Sequence, residues 1–185
     1  LDGNDVQLKS GTITAKTTNL TSDTMITENE GFGLVTPVLN TSANGITDLQ
    51  STANQLEQVN IDNAGASVAI GSANSKNKND LQIKTAHPIN GSLIVTNYQE
   101  DSQFKNIILV DNSLQAKNII LTNEEDAITV NDGISVEGIT VKLYAATDLN
   151  VNGSVSSNEG TTLEVTQITV NGTVDTTNGT TTLTS

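Results

Sequence analysis

The residues best placed to do chemistry lie in one twelve-residue stretch, Asp148-Leu-Asn150-Val-Asn152-Gly153-Ser-Val155-Ser-Ser-Asn-Glu159. It satisfies D-x-[DN]-x-[DN]-G-x5-E, the calcium loop of an EF-hand, down to an aliphatic residue at the eighth place. A hard cation takes several oxygen ligands, and a glycine at the sixth place allows the sharp turn, so Asp148, Asn150, Asn152 and Glu159 are the candidate calcium ligands. An EF-hand also needs a helix on either side. Here 141–143 and 163–165 read as strands, and Leu149 and Val151 alternate with the ligand positions as in a strand. One repeat further on, Gln167, Thr169 and Asn171 occupy the same places. An asparagine-rich strand and turn is therefore the favoured reading of this stretch. Further acidic groups stand at Asp2 to Asp5, Glu28 to Glu30, Glu124 to Asp126 and Asn131-Asp132, where a divalent ion would relieve repulsion between carboxylates.

Other chemistry finds little support. The one histidine, His87, sits between Ala86 and Pro88, and no Gly-x-Ser-x-Gly elbow is present. A polysaccharide-cleaving enzyme needs cations against substrate carboxylates or a carboxylate pair with sugar-stacking rings. This chain has no arginine, and aromatic residues make up only 2% of it. The net charge of −13 disfavours nucleic acid and anionic membranes. The absence of cysteine excludes disulfides and thiolate metal sites. No apolar run approaches the roughly 18 residues of a membrane span. The chain opens Leu1-Asp2-Gly3 without a basic leader, and so reads as a mature protein or a piece of a larger one. The six Asn-x-Ser/Thr sequons are what 23 asparagines among so many hydroxyl residues give by chance. Thr-x-Thr pairs such as Thr12 and Thr14 lack the regular array that an ice-binding face requires.

What would position these residues is a β-rich fold. With 28 threonines and 23 asparagines in 185 residues, the composition resembles that of a disordered chain. Proline is nearly absent, however, and Val, Ile and Leu cluster in short runs such as Ile107 to Val110 and Ile119 to Leu121, the mark of buried strands. Val110, Val130, Val151 and Val170 each lead into an Asn/Asp/Gly turn and a second apolar strand, at spacings of 20, 21 and 19 residues. A period near 20 predicts a parallel β-solenoid, with aliphatic residues filling a thin interior, threonine outside and asparagine at corners that tolerate left-handed angles. The alternative is a β-sandwich, jelly roll or barrel, in which the five Asn-Gly pairs close hairpins.

Residues 1–63 read as an irregular β segment with the predicted helix, placed to cap the coil, and 64–185 as rungs of about 20 residues, the two expected to form one continuous domain. Ile46, Leu49, Ala53, Leu56 and Val59 fall at helical spacing behind a Thr47/Gln50 capping pair, which predicts one helix over 47–59. Residues 73–80 read as an exposed loop. Charge is uneven: 122–185 carries nine acids and a single lysine, Lys142.

The stretch Ile139 to Val155 and the following Ile168-Thr-Val-Asn-Gly-Thr-Val174 resemble the rungs of large secreted bacterial β-helix adhesins, both filamentous-haemagglutinin-like exoproteins and autotransporter passengers. The likeness covers about 105–185. It implies an exported protein, displayed on or released from a cell surface, acting through shape rather than chemistry. The expected function is a non-enzymatic structural or adhesive module whose partner is a receptor or glycan on a host or neighbouring cell. The alternative is a self-assembling subunit of an extracellular filament or surface layer, bound to copies of itself with calcium assisting. A polysaccharide-active β-helix is the remote third.

Overall fold

Val110, Val130, Val151 and Val170 occupy successive rungs of one parallel stack in the computed structural model of the chain. The structure describes residues 1–62, 66–73, 80–98 and 107–185; the loop expected over 73–80 lies, but for its two end residues, outside them. Eighteen strands follow in order: β1 (Asp2–Leu8), β2 (Thr12–Thr14), β3 (Thr17–Glu28), β4 (Gly33–Ala43), β5 (Thr47–Leu49), β6 (Gln55–Ile61), β7 (Val68–Ser72), β8 (Leu81–Thr85), β9 (Ile89–Asn97), β10 (Ile108–Val110), β11 (Leu114–Asn123), β12 (Ile128–Val130), β13 (Ser135–Ala145), β14 (Asp148–Val151), β15 (Ser154–Glu164), β16 (Gln167–Val170), β17 (Thr173–Thr176) and β18 (Thr180–Thr184). Every pairing among them is parallel, and together they wind into a β-solenoid of about eight turns. The pairings β5–β7 and β6–β8 carry the sheet across the change in sequence character near residue 63.

The interior consists of aliphatic columns. Leu93, Ile119 and Val141 stack, as do Val95, Leu121, Leu143 and Leu163, and all are solvent-free. On the next face Ile108, Ile128 and Leu149 align, with Val110, Val130 and Val151 beside them. Along each strand alternate side chains point in and out, so a three-residue strand such as Ile128–Val130 buries two residues and leaves its threonine outward. Each full burial of a Leu or Val contributes about 1.5–3 kcal/mol, and among the described residues Phe32 is the one aromatic ring in the buried core.

Corners are made without ending the strand. β13 and β15 slip register where Gly138 pairs with Ser157 and Thr140 with Gly160, a bulge that turns both strands together. In β4 the pairing with β6 steps over Pro37, which has no N–H to give, and Thr36 Oγ1 instead donates to Val38 O at 2.9 Å. The Asn-Gly pairs do not close hairpins, since successive strands pair in parallel with the rung above and below. They stand at corners where chains approach closely. A Cβ on Gly153 would run into the carbonyl oxygens of Ile134 and Asn131, and one on Gly172 into that of Gly153. Among the described residues only Gly11, Gly31 and Gly133 have positive φ, so the asparagines do not serve the corners by left-handed geometry.

The helix expected over 47–59 is absent; the described residues hold no helix. That segment is β5, a tight turn, and β6. The spacing misled because two short strands with a five-residue turn between them place Leu49, Leu56 and Val59 inward at intervals that resemble a helical stripe. The other two members of that stripe, Ile46 and Ala53, are exposed. Thr47 does not cap a helix; it is fully buried in an interior column between Ile26 and Val68.

Candidate functional site

The four candidate calcium ligands lie on extended chain. Asp148 and Asn150 project outward from β14, since Leu149 and Val151 between and beyond them are buried. Asn152 stands in the turn that follows, where its Oδ1 accepts a hydrogen bond from Asn171 Nδ2 at 2.9 Å. Glu159 is exposed on β15, past that turn. The flanking elements are strands, β13 and β15, and the residues are not gathered round one loop. Among the described residues no group of three or more His, Asp or Glu side chains is arranged to hold a metal ion.

A different set of residues is brought together in the first half of the chain. The outward positions of β3, β4 and β6 place Asn19, Asn40 and Asn60 in register on consecutive rungs, with Lys84 of β8 in the fourth place. Asn60 Nδ2 donates to Asn40 Oδ1 at 2.6 Å, and Asn40 Nδ2 to Asn19 Oδ1 at 2.7 Å. Gln58 Nε2 donates to Asn60 Oδ1 at 2.8 Å, so every amide oxygen of the ladder is used. The ladder lines an open groove of about 510 Å³ running across the strands, whose wall includes Thr21, Ser42 and Asp62. At its rim His87 Nε2 lies 3.4 Å from Asp62 Oδ1, and both side chains are mostly exposed.

A second polar group sits inside the coil. Glu28 pairs with Leu8 of the rung before and follows directly on the Thr27–Asp48 pairing, next to the interior column Leu49, Ile70, Val95, Leu121. Glu28 Oε1 accepts from Ser51 N–H at 2.6 Å and from Asn54 Nδ2 at 2.7 Å, while Oε2 is enclosed without a hydrogen-bond partner. Burial raises the Glu28 carboxyl above the ordinary glutamate range, against the lowering effect of those two bonds and with a further push from Asp48. Asn54 is itself solvent-free, accepting from Leu34 N–H at 2.8 Å and donating to Leu49 O and Gly71 O, each at 3.3 Å. Nearby, Tyr98 Oη donates to Gln50 O at 3.0 Å, and its pKa is raised by burial first and then by Glu124, Asp48 and Glu28.

Two further open grooves cross the coil. One, about 540 Å³, follows the bulged corner past Lys117, Gly138 and Ile139; the other, about 460 Å³, passes Tyr144, Glu164 and Thr184. No helix among the described residues is long and apolar enough to cross a membrane.

The fold defines the class, a parallel β-solenoid. Comparison of the chain with protein-family models, with curated proteins and with solved structures found no match. The asparagine ladder was missed in the sequence, although its spacings of 21 and 20 residues repeat the period of the valine anchors. The signal was masked because Asn19, Asn40 and Asn60 are followed by Leu20, Thr41 and Ile61 rather than by the glycine of an Asn-Gly turn, so no second feature marked the repeat.

Proposed function

We propose that this chain is a non-enzymatic extracellular module, structural and adhesive, of a cell-surface protein of the β-helix adhesin kind. The observation that carries the reading is the coupling of a mainly aliphatic interior to outward columns that repeat rung over rung. Such a coil is a rigid shaft whose exposed side chains form extended surfaces across the strands. Asn19, Asn40 and Asn60 form one of these surfaces. Its grooves are open and shallow, which suits attachment to an extended partner better than enclosure of a small reacting substrate. The test is a cell-binding assay with the purified chain on fluorescent beads. Saturable attachment competed by free protein supports the reading, and beads that bind no better than albumin-coated controls overturn it.

A further inference from the structure

We propose that the groove floored by Asn19, Asn40 and Asn60 binds a neutral, linear polysaccharide lying along the coil axis. The proposal rests on the reading of the chain as an adhesive shaft and names the class of partner.

Asn19 and Asn40 Oδ1 each accept from the next amide of the ladder and Asn60 Oδ1 from Gln58 of its own strand, which leaves the second N–H of Asn40 and of Asn60, and both of Asn19, as donors along the groove. Lys84 extends the same row with an ammonium group. Across the groove Thr21, Ser42 and the Asp62 carboxylate supply acceptors. A row of donors facing a row of acceptors is matched by hydroxyl groups, which accept and donate at once.

Period selects the polymer. The ladder repeats at the strand spacing, about 4.8 Å, which is close to the length of one sugar unit in an extended chain. Four places, Asn19 to Lys84, therefore address about four units over roughly 14 Å. An extended peptide advances only about 3.3 Å per residue and alternates its sides, so it falls out of step within two rungs. Peptides also recognise sheets through free backbone edges, and here the backbone groups of the floor are spent on neighbouring rungs.

Charge selects among polysaccharides. A molecule of net charge −13 repels polyanions, and Asp62 stands on the groove wall. Neutral hydroxyls meet neither obstacle. Because no aromatic ring among the described residues lines the groove, each site is weak, and attachment gains from several shafts engaging one polymer.

The experiment is titration of the full chain, followed by NMR shifts or calorimetry, with neutral glucose-, mannose- and galactose-based oligosaccharides of two to six units. Oligogalacturonate and an extended Thr/Asn-rich peptide serve as comparisons. Affinity should rise with length up to about four units and then level off. Asn40→Leu and Lys84→Ala, each shown by circular dichroism to keep the fold, should lose at least fivefold, while Lys117→Ala in the second groove changes nothing. Absence of binding by the whole neutral panel, indifference to both groove variants, or tighter binding of the acidic oligomer or the peptide overturns the proposal. Beads that adhere to cells without any sugar affinity would sink this inference and leave the adhesive reading standing.

Discussion

Asn54 Nδ2 donates to Glu28 Oε1 at 2.7 Å, a bond that joins the interior column of one rung to the turn of the next. The same amide reaches Leu34 N–H, Leu49 O and Gly71 O, so one side chain ties together four segments of the chain. Replacing Asn54 by Leu keeps the volume but leaves Leu34 N–H and the Glu28 carboxyl buried with fewer partners. The expected loss is about 3 kcal/mol, read from the midpoint of urea unfolding; a shift worth less than about 1 kcal/mol would show the network to be dispensable.

Glu28 should make stability fall with pH. Its carboxyl holds its proton to higher pH in the folded chain than in the unfolded one. Above the unfolded value, about 4.3, the native state therefore binds more protons, and stability declines as pH rises through the folded pKa. Because the group keeps some solvent contact, the fall is about 1 kcal/mol or less. Glu28→Gln should melt higher than the parent at pH 8 and level with it near pH 4. Identical pH profiles for the two proteins would remove Glu28 as the cause.

Glycine positions should divide sharply. Gly153→Ala forces a Cβ into two backbone carbonyls and is expected to cost at least about 2 kcal/mol. At Gly160 the nearest atom to a Cβ is Thr180 O at 3.8 Å, so alanine there is tolerated and gains up to about 1 kcal/mol through the unfolded chain. Equal effects at the two sites, measured by thermal melting, would contradict this packing of the corners.

Two leucines of one column should behave as differently as their burial. Leu143→Ala empties a solvent-free site between Leu121 and Leu163, with an expected cost of about 2–5 kcal/mol. Leu183→Ala, at the exposed end of the same column, should change stability by less than about 0.5 kcal/mol. Calorimetry of the two variants separates these outcomes, and a comparable loss from Leu183 would mean that the last turn is covered in solution.

Much of the fold was legible without coordinates. The spacing of Val110, Val130, Val151 and Val170 pointed to parallel stacking and its period, because a thin coil brings an equivalent residue, mostly apolar, inward once per turn in each interior column. The scarcity of rings followed from the same thinness. By contrast, Leu49, Leu56 and Val59 were assigned to a helix. Apolar spacing reports only which residues face inward, and a strand–turn–strand can copy a helical stripe over thirteen residues. What decided between them was lateral pairing of Thr47 with Ile26 and Val68, a contact between residues some twenty positions apart. The candidate calcium residues Asp148, Asn150, Asn152 and Glu159 illustrate the same limit: their order suits a loop, and the pairing of β14 with β16 and of β15 with β13 draws the chain out along strands. The asparagine ladder and the interior Glu28 belong wholly to tertiary structure, since their neighbours are set by register between rungs. Sequence thus determined the period and the inward face, which are local and repetitive. Only the stacked coil decided which polar side chains meet, because hydrogen bonds across rungs depend on alignment that no short segment contains.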